Sequence, residues 1–163
     1  MKPDHEKVAI TETASISEAI KNLNDSTLNI LRNPMYELHP SASFNSSHLS
    51  RKVSVIGGSQ KQPKLLIYET LMQGIEDEAE KTLNELKEIL PKVSNGVQVN
   101  PGELIILDNN KVAHARSAFK PRYDGEDRWL QRMFSINDLK GLENYMKGDE
   151  NIFIPLVDIL KEK

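Results

Sequence analysis

His114 ends one short run, Val112-Ala113-His114, and Arg128 opens another, Arg128-Trp129-Leu130, fourteen residues later. A polar loop, Lys120 to Asp127, joins them. An imidazole suits a divalent metal, and a guanidinium suits two-point capture of a carboxylate. If the two runs pair as strands, both side chains can point into one cavity. A metal beside a carboxylate anchor is what a bound keto acid requires. Either residue alone is ordinary: a histidine near a strand end is most often structural, and an arginine in a charged loop is most often just solvated. The combination at this spacing is far more specific.

The elements that must position these residues are mostly strands. Val8 to Ala14 is rich in β-branched residues and reads as a strand. Ser15 or Ser17 can then cap a short helix that carries Ile16, Ala19, Ile20 and Leu23 on one face. A second helix is expected from Asp25 to Arg32, stopped by Asn33-Pro34. Residues 39–51, rich in Ser, His and Asn, read as loop. Two strands follow, Val53 to Ile56 and Leu65 to Tyr68, parted by a Gly-Gly turn and Pro63. The clearest helix is Glu76 to Leu90, with Ile75, Ala79, Leu83, Leu86 and Leu90 in one stripe and Pro91 as its stop. Turns are expected at Asn95-Gly96 and at Asn100-Pro101-Gly102. Strands are expected at Glu103 to Leu107, Val112 to His114 and Trp129 to Ile136. The tail holds a short polar helix and a last apolar segment, Ile152 to Leu160. Strands and helices do not alternate, so the fold class is mainly β with flanking helices, a sandwich or jelly roll, rather than a parallel α/β sheet.

Composition narrows the function classes. A chain of 163 residues fits a single domain, 1–163. The net charge is −3, with both signs interspersed and no Lys/Arg stripe, which argues against nucleic acid as a partner. The longest apolar runs, such as Leu104-Ile105-Ile106-Leu107, fall far short of the roughly 20 residues of a membrane span, and the N-terminus lacks the apolar stretch of a signal peptide. No cysteine is present. That rules out disulfides and thiolate metal sites and agrees with a cytoplasmic protein. Any metal must use His and carboxylate ligands.

Three strings carry a resemblance. They are Pro101-Gly102-Glu103-Leu104-Ile105-Ile106-Leu107-Asp108-Asn109, then Val112-Ala113-His114-Ala115-Arg116-Ser117, then Arg122-Tyr123-Asp124-Gly125-Glu126-Asp127-Arg128-Trp129-Leu130-Gln131-Arg132. Together they resemble the C-terminal signature of the clavaminate synthase-like, TauD-like oxygenases, which include hydroxylases of free amino acids. The pattern there is roughly P-G-D-L-x-x-x-D-N, V-H-G-R-S and R-Y-D-G-x-D-R-W-L-Q-R. The resemblance implies a double-stranded β-helix (jelly roll), here in part, with Fe(II) held by two histidines and one carboxylate and 2-oxoglutarate as co-substrate. It places His114 on the distal iron-ligand position and Arg128 on the residue that pairs with the far carboxylate of 2-oxoglutarate. The run Pro3 to Thr11 resembles the strand after the first iron motif, which puts Thr11 on a threonine that hydrogen-bonds the same carboxylate. Glu69 falls where relatives carry acidic substrate-binding residues. The departures are Glu103 for Asp and Ala115 for Gly; Ala115 matters only if the backbone there needs positive φ.

The resemblance also implies a His-x-Glu or His-x-Asp pair ahead of the position of Pro3. His5, His39 and His48 do not begin such a pair. The expectation is therefore an amino-acid hydroxylase chain that is truncated and inactive alone. A complementary fragment or a second copy of the chain is then the expected partner, because a jelly roll without its first strands leaves sheet edges unpaired. The alternative is a non-catalytic keto-acid-binding or interaction module on the same fold.

Overall fold

The computed structural model describes residues 2–39, 50–133 and 135. In chain order the elements are β1 (Thr11–Ser15), α1 (Ile16–Ile20), α2 (Asp25–Leu31), β2 (Tyr36–Leu38), β3 (Arg51–Val53), β4 (Ile56–Gly58), β5 (Pro63–Leu65), β6 (Met72–Gly74), α3 (Asp77–Lys92), β7 (Ser94–Val97) and β8 (Val112–Arg116). Strand-rich with helices packed on one side, this is the fold class that the patterning predicts. The strands form three antiparallel groups, ordered β7-β1-β8, β3-β2-β6 and β4-β5.

Helix α3 organises the core. Glu76 occupies its N-cap position without a side-chain cap bond, Asp77, Glu78 and Glu80 load its first turn with negative charge, and Lys92 sits in its last turn, the charges all in the sense the helix dipole favours. Its buried face is Ala79, Thr82, Leu83, Leu86, Ile89 and Leu90. Ile75 precedes the helix and is exposed, so the stripe begins at Ala79. Pro91 does not stop the helix but lies inside its last turn, where the missing N–H costs only one terminal bond. Ile16 of α1, Leu31 of α2, Tyr36 of β2 and Val55 complete the same cluster. The Tyr36 hydroxyl, 2.7 Å from Thr82 Oγ1, is paired in the core, and Thr82 donates in turn to the Ala79 carbonyl. At the edge of β6, a Cβ on Gly74 would run into the Glu80 backbone, while Glu80 Oε2 accepts the Gly74 N–H at 2.6 Å.

Several local expectations are corrected. Ser15 occupies the cap position of α1 without a side-chain cap bond; α2 is capped by Asn24, which accepts the Thr27 N–H. The Gly-Gly pair ends β4 rather than forming a turn, and β2 and β6 had no alternating signal to reveal them. Asn95-Gly96 lies within β7, opposite Thr13 and Glu12 of β1. An Asn-Gly turn needs flanking strands that pair with each other, and here the partner is a strand more than eighty residues away. The run 103–107 joins no ladder among the described residues, and Leu104 and Ile106 are each 84% exposed. In 129–136, only Trp129 makes a bridge, to Lys2, among the described residues. The predicted tail helix and the segment 152–160 lie outside the described residues, as does most of the 39–51 loop.

Candidate functional site

Sheet β7-β1-β8 has two unlike faces. Residues directly opposite in an antiparallel pair share a face, and alternate residues do too. Ala14 of β1 and its partner Ala113 of β8 pack toward the core cluster. The other face carries Thr11 opposite Arg116, Thr13 opposite His114, and Asn95 and Val97 from β7. None of these six is buried. Ser117 extends the pairing past the strand end, since its Oγ accepts the Ile10 N–H at 2.9 Å. His114 thus stands exposed on an open, mainly polar sheet face, with Thr11 two positions along the adjacent strand from its own partner. Ala115 takes an ordinary strand conformation, as no positive φ occurs there, so this departure from glycine costs the backbone nothing.

Arg128 comes from the segment after the 120–127 loop, and it is placed by the N-terminus of the described chain. Lys2 and Trp129 exchange both backbone hydrogen bonds, at 3.1 and 2.9 Å. Arg128 lines a cavity of about 300 Å³ whose walls also include Asp4, Lys7, Ala9, Gln98 and Asn100. Asp4 is 3% exposed and accepts the N–H groups of Val8 and Ala9 at 2.8 and 2.9 Å, which closes a tight turn through Lys7 at φ 54°. Gln98 Nε2 donates to the Lys7 carbonyl at 2.7 Å and ties the opposite wall to that turn. At Asn100-Pro101-Gly102-Glu103, Gly102 has φ 90°, as the third position of a Pro-Gly turn requires. Glu103 accepts the Asn100 N–H at 2.7 Å, so the longer acid still ties off the turn.

Arg128 lines that cavity, and its Nη2 is buried with no hydrogen-bond partner. Burial holds the Arg128 guanidinium below its usual pKa; the positive charge of Arg116 acts in the same direction, and Asp4 opposes both. A buried, unsatisfied cationic donor costs free energy until an anion meets it. The donor set fits a carboxylate, and the volume, at the small end of ligand pockets, fits a short dicarboxylate.

His114 and Arg128 do not share a cavity across paired strands. Among the described residues β8 pairs with β1 and not with the Arg128 segment, and the cavity that Arg128 lines is walled by residues just before β1 and just after β7 and does not include His114. Thr11 is two residues from the cavity-lining Ala9 and opposite Arg116, whose charge acts on Arg128. Glu69 is elsewhere: it sits in an exposed turn before β6, and its carbonyl accepts Lys87 Nζ of α3 at 3.1 Å. Among the described residues no three His, Asp or Glu side chains cluster as a metal site, and His114 belongs to no such group. Two contributors escaped the sequence reading. Arg116 could have been found from His114 by the two-residue period of a strand; Asp4 had no signal beyond its place in a charged run.

The profile of the "Taurine catabolism dioxygenase TauD, TfdA family" matches residues 11–134. That span holds both His114 and Arg128. The chain belongs to the TauD/TfdA dioxygenase family. L-asparagine oxygenase of Streptomyces coelicolor is 34% identical over 129 residues, which is 78% of this chain and 39% of that enzyme. Clavaminate synthase 2 of Streptomyces clavuligerus is 31% identical over 145 residues, 86% of this chain and 44% of that enzyme. The structure of asparagine oxygenase with Fe(II), 2S,3S-3-hydroxyasparagine and succinate superposes with a TM-score of 0.86 at 30% identity, covering 94% of this chain and 48% of that one. The non-heme iron oxygenase OrfP, at 19% identity and TM-score 0.75, shares the fold. The three antiparallel groups are thus part of an iron/2-oxoglutarate oxygenase jelly roll, open rather than a closed barrel. This TauD-family chain spans less than half the length of these relatives. No helix among its described residues is long and apolar enough to cross a membrane.

Proposed function

We propose that this chain carries the 2-oxoglutarate clamp and one iron ligand of an Fe(II)/2-oxoglutarate-dependent hydroxylase of a free or carrier-bound amino acid. The observation that carries the reading is Arg128, which lines a cavity sized for a short dicarboxylate and has its Nη2 buried without a partner. Arg128 presents its fork to the distal carboxylate of the keto acid, and Thr11 donates its hydroxyl to the same group. His114 offers an imidazole nitrogen to Fe(II) from the open sheet face, and Glu69 is the acidic residue proposed to meet the substrate's amino group. Bound iron would supply the oxidising chemistry, with O₂ as the oxidant: one oxygen atom would go to the hydroxylated substrate and the other to succinate, as 2-oxoglutarate loses CO₂. The remaining ligands come from outside the described residues, brought by a complementary segment or by a second copy of this chain that covers the open face.

A second reading, a keto-acid-binding module without turnover, is favoured by the lone position of His114 among the described residues. One experiment separates the two. Fe(II) and 2-oxoglutarate are added anaerobically to the purified chain and to Arg128→Ala. The weak visible charge-transfer band of the chelate, lost in the variant, supports an assembled iron site. No band, with Arg128-dependent binding of 2-oxoglutarate by calorimetry, supports the binding module. No binding of either kind by the chain at any attainable concentration sinks both.

A further inference from the structure

The loop that delivers Arg128 is built around a different residue. Asp127 accepts the backbone N–H of Arg122 at 2.8 Å and that of Tyr123 at 2.7 Å through its two carboxylate oxygens. Tyr123 has φ 58°, a left-handed conformation that an aromatic residue adopts only when something holds it there. Gly125, at φ 80°, makes the second reversal without cost. Asp124 fastens the inside of the loop through an ion pair with Arg122 and by accepting the Glu126 N–H at 3.0 Å. The folded loop presents the Gly125 carbonyl and the Glu126 carboxylate to Lys2 Nζ at 3.0 and 2.9 Å, and Lys2 is the residue whose backbone brackets Trp129.

We infer that Asp127 is a positioning residue: by holding Tyr123 in the left-handed conformation it closes the 122–127 loop and so fixes the Arg128–Trp129 segment against Lys2. The carboxylate does not line the cavity; its hydrogen bonds go to backbone donors of its own loop, and His5 and Arg122 act on it electrostatically. Its effect on Arg128 is therefore conformational, transmitted through one backbone dihedral and one bridge. This rests on the reading of Arg128 as the carboxylate clamp for its functional meaning, but not for its structural content.

The test uses a readout that needs no ligand. The Trp129 amide donates to the Lys2 carbonyl, so its hydrogen-exchange rate reports whether the segment is held. Asp127→Ala should speed that exchange about tenfold or more while amides of α3 keep their protection. Asp127→Asn, which retains one acceptor oxygen, should fall between. The deciding variant is Asp127→Ala with Tyr123→Gly. Glycine adopts positive φ freely, so this double variant should recover most of the lost protection. Unchanged exchange in Asp127→Ala overturns the inference, and so does a loss that glycine at 123 does not repair. Calorimetry with 2-oxoglutarate on the same proteins should show a parallel weakening and recovery. If the wild-type chain binds no 2-oxoglutarate while the exchange pattern holds, the clamp reading fails and the positioning role of Asp127 stands.

Discussion

Thr13 and His114 are opposed across the antiparallel pair β1–β8, so hydroxyl and imidazole share the open face of the sheet. Thr13 Oγ1 donates to the Asn95 carbonyl of β7, and the three strands are therefore linked behind the histidine. The His114 imidazole projects from a strand paired to β1, and its side chain is exposed.

His114→Ala should leave folding stability within about 0.5 kcal/mol, because the side chain is exposed and removes no packing. The same change should abolish any Fe(II)-dependent spectral signal. Urea unfolding and anaerobic iron titration of the variant check the two halves. A large loss of stability would show that the histidine is a structural residue after all.

Asp4→Ala should cost about 1–3 kcal/mol, because it strands the buried N–H groups that Val8 and Ala9 donate. Asp4→Asn, which keeps an acceptor oxygen, should cost less. Both values come from denaturant midpoints, and equal losses would point away from the acceptor role.

In the core, Thr82→Val should destabilise more than Tyr36→Phe. The first leaves the Tyr36 hydroxyl buried without a partner, at roughly 1–3 kcal/mol; the second removes that hydroxyl while Thr82 still donates to the Ala79 carbonyl. Burial already pushes the Tyr36 phenol above its usual pKa, which marks how little water reaches it. Thermal unfolding of the two variants gives the order directly.

Acidification should loosen the site loops. Backbone N–H groups hold the carboxyls of Asp127, Glu103 and Asp108 below their usual pKa values. A carboxyl whose folded pKa is depressed adds stability above its unfolded pKa, and that stability is lost as pH falls through the folded value. Order at 100–103, 108–110 and 122–127 should therefore persist at neutral pH and fade below about pH 4, the ordinary carboxylate range. Amide exchange of Asn100, Asn110 and Tyr123 across that range measures it; flat protection down to pH 2 would contradict the assignment.

Helix α3 was legible because its stripe repeats within one continuous segment, and only its Pro91 boundary and the place of Ile75 were misread. The strands near the site were harder. β7 hid behind an Asn-Gly pair, and Glu103–Leu107 has strand composition yet no ladder partner among the described residues. Both errors have one source: strand formation is decided by the partner, and the partner of β7 is β1. Arg128 and His114 stood out through motif spacing, whereas Asp4 and Arg116 did not, since their importance comes from what surrounds them.

The sequence by itself determined the strand-rich class, the turn at Gly102, the loop from Lys120 to Asp127, the amphipathic helix and the chemical identity of the candidate ligands. These follow from side-chain chemistry and from periodicities read within a few residues. Only the tertiary structure decided that Lys2 brackets Trp129, that β8 takes β1 as its partner, and that one guanidinium nitrogen is left buried and unmet. Backbone groups in a sheet are satisfied by segments distant in the chain, and desolvation depends on everything packed around a group. Neither can be summed along a sequence.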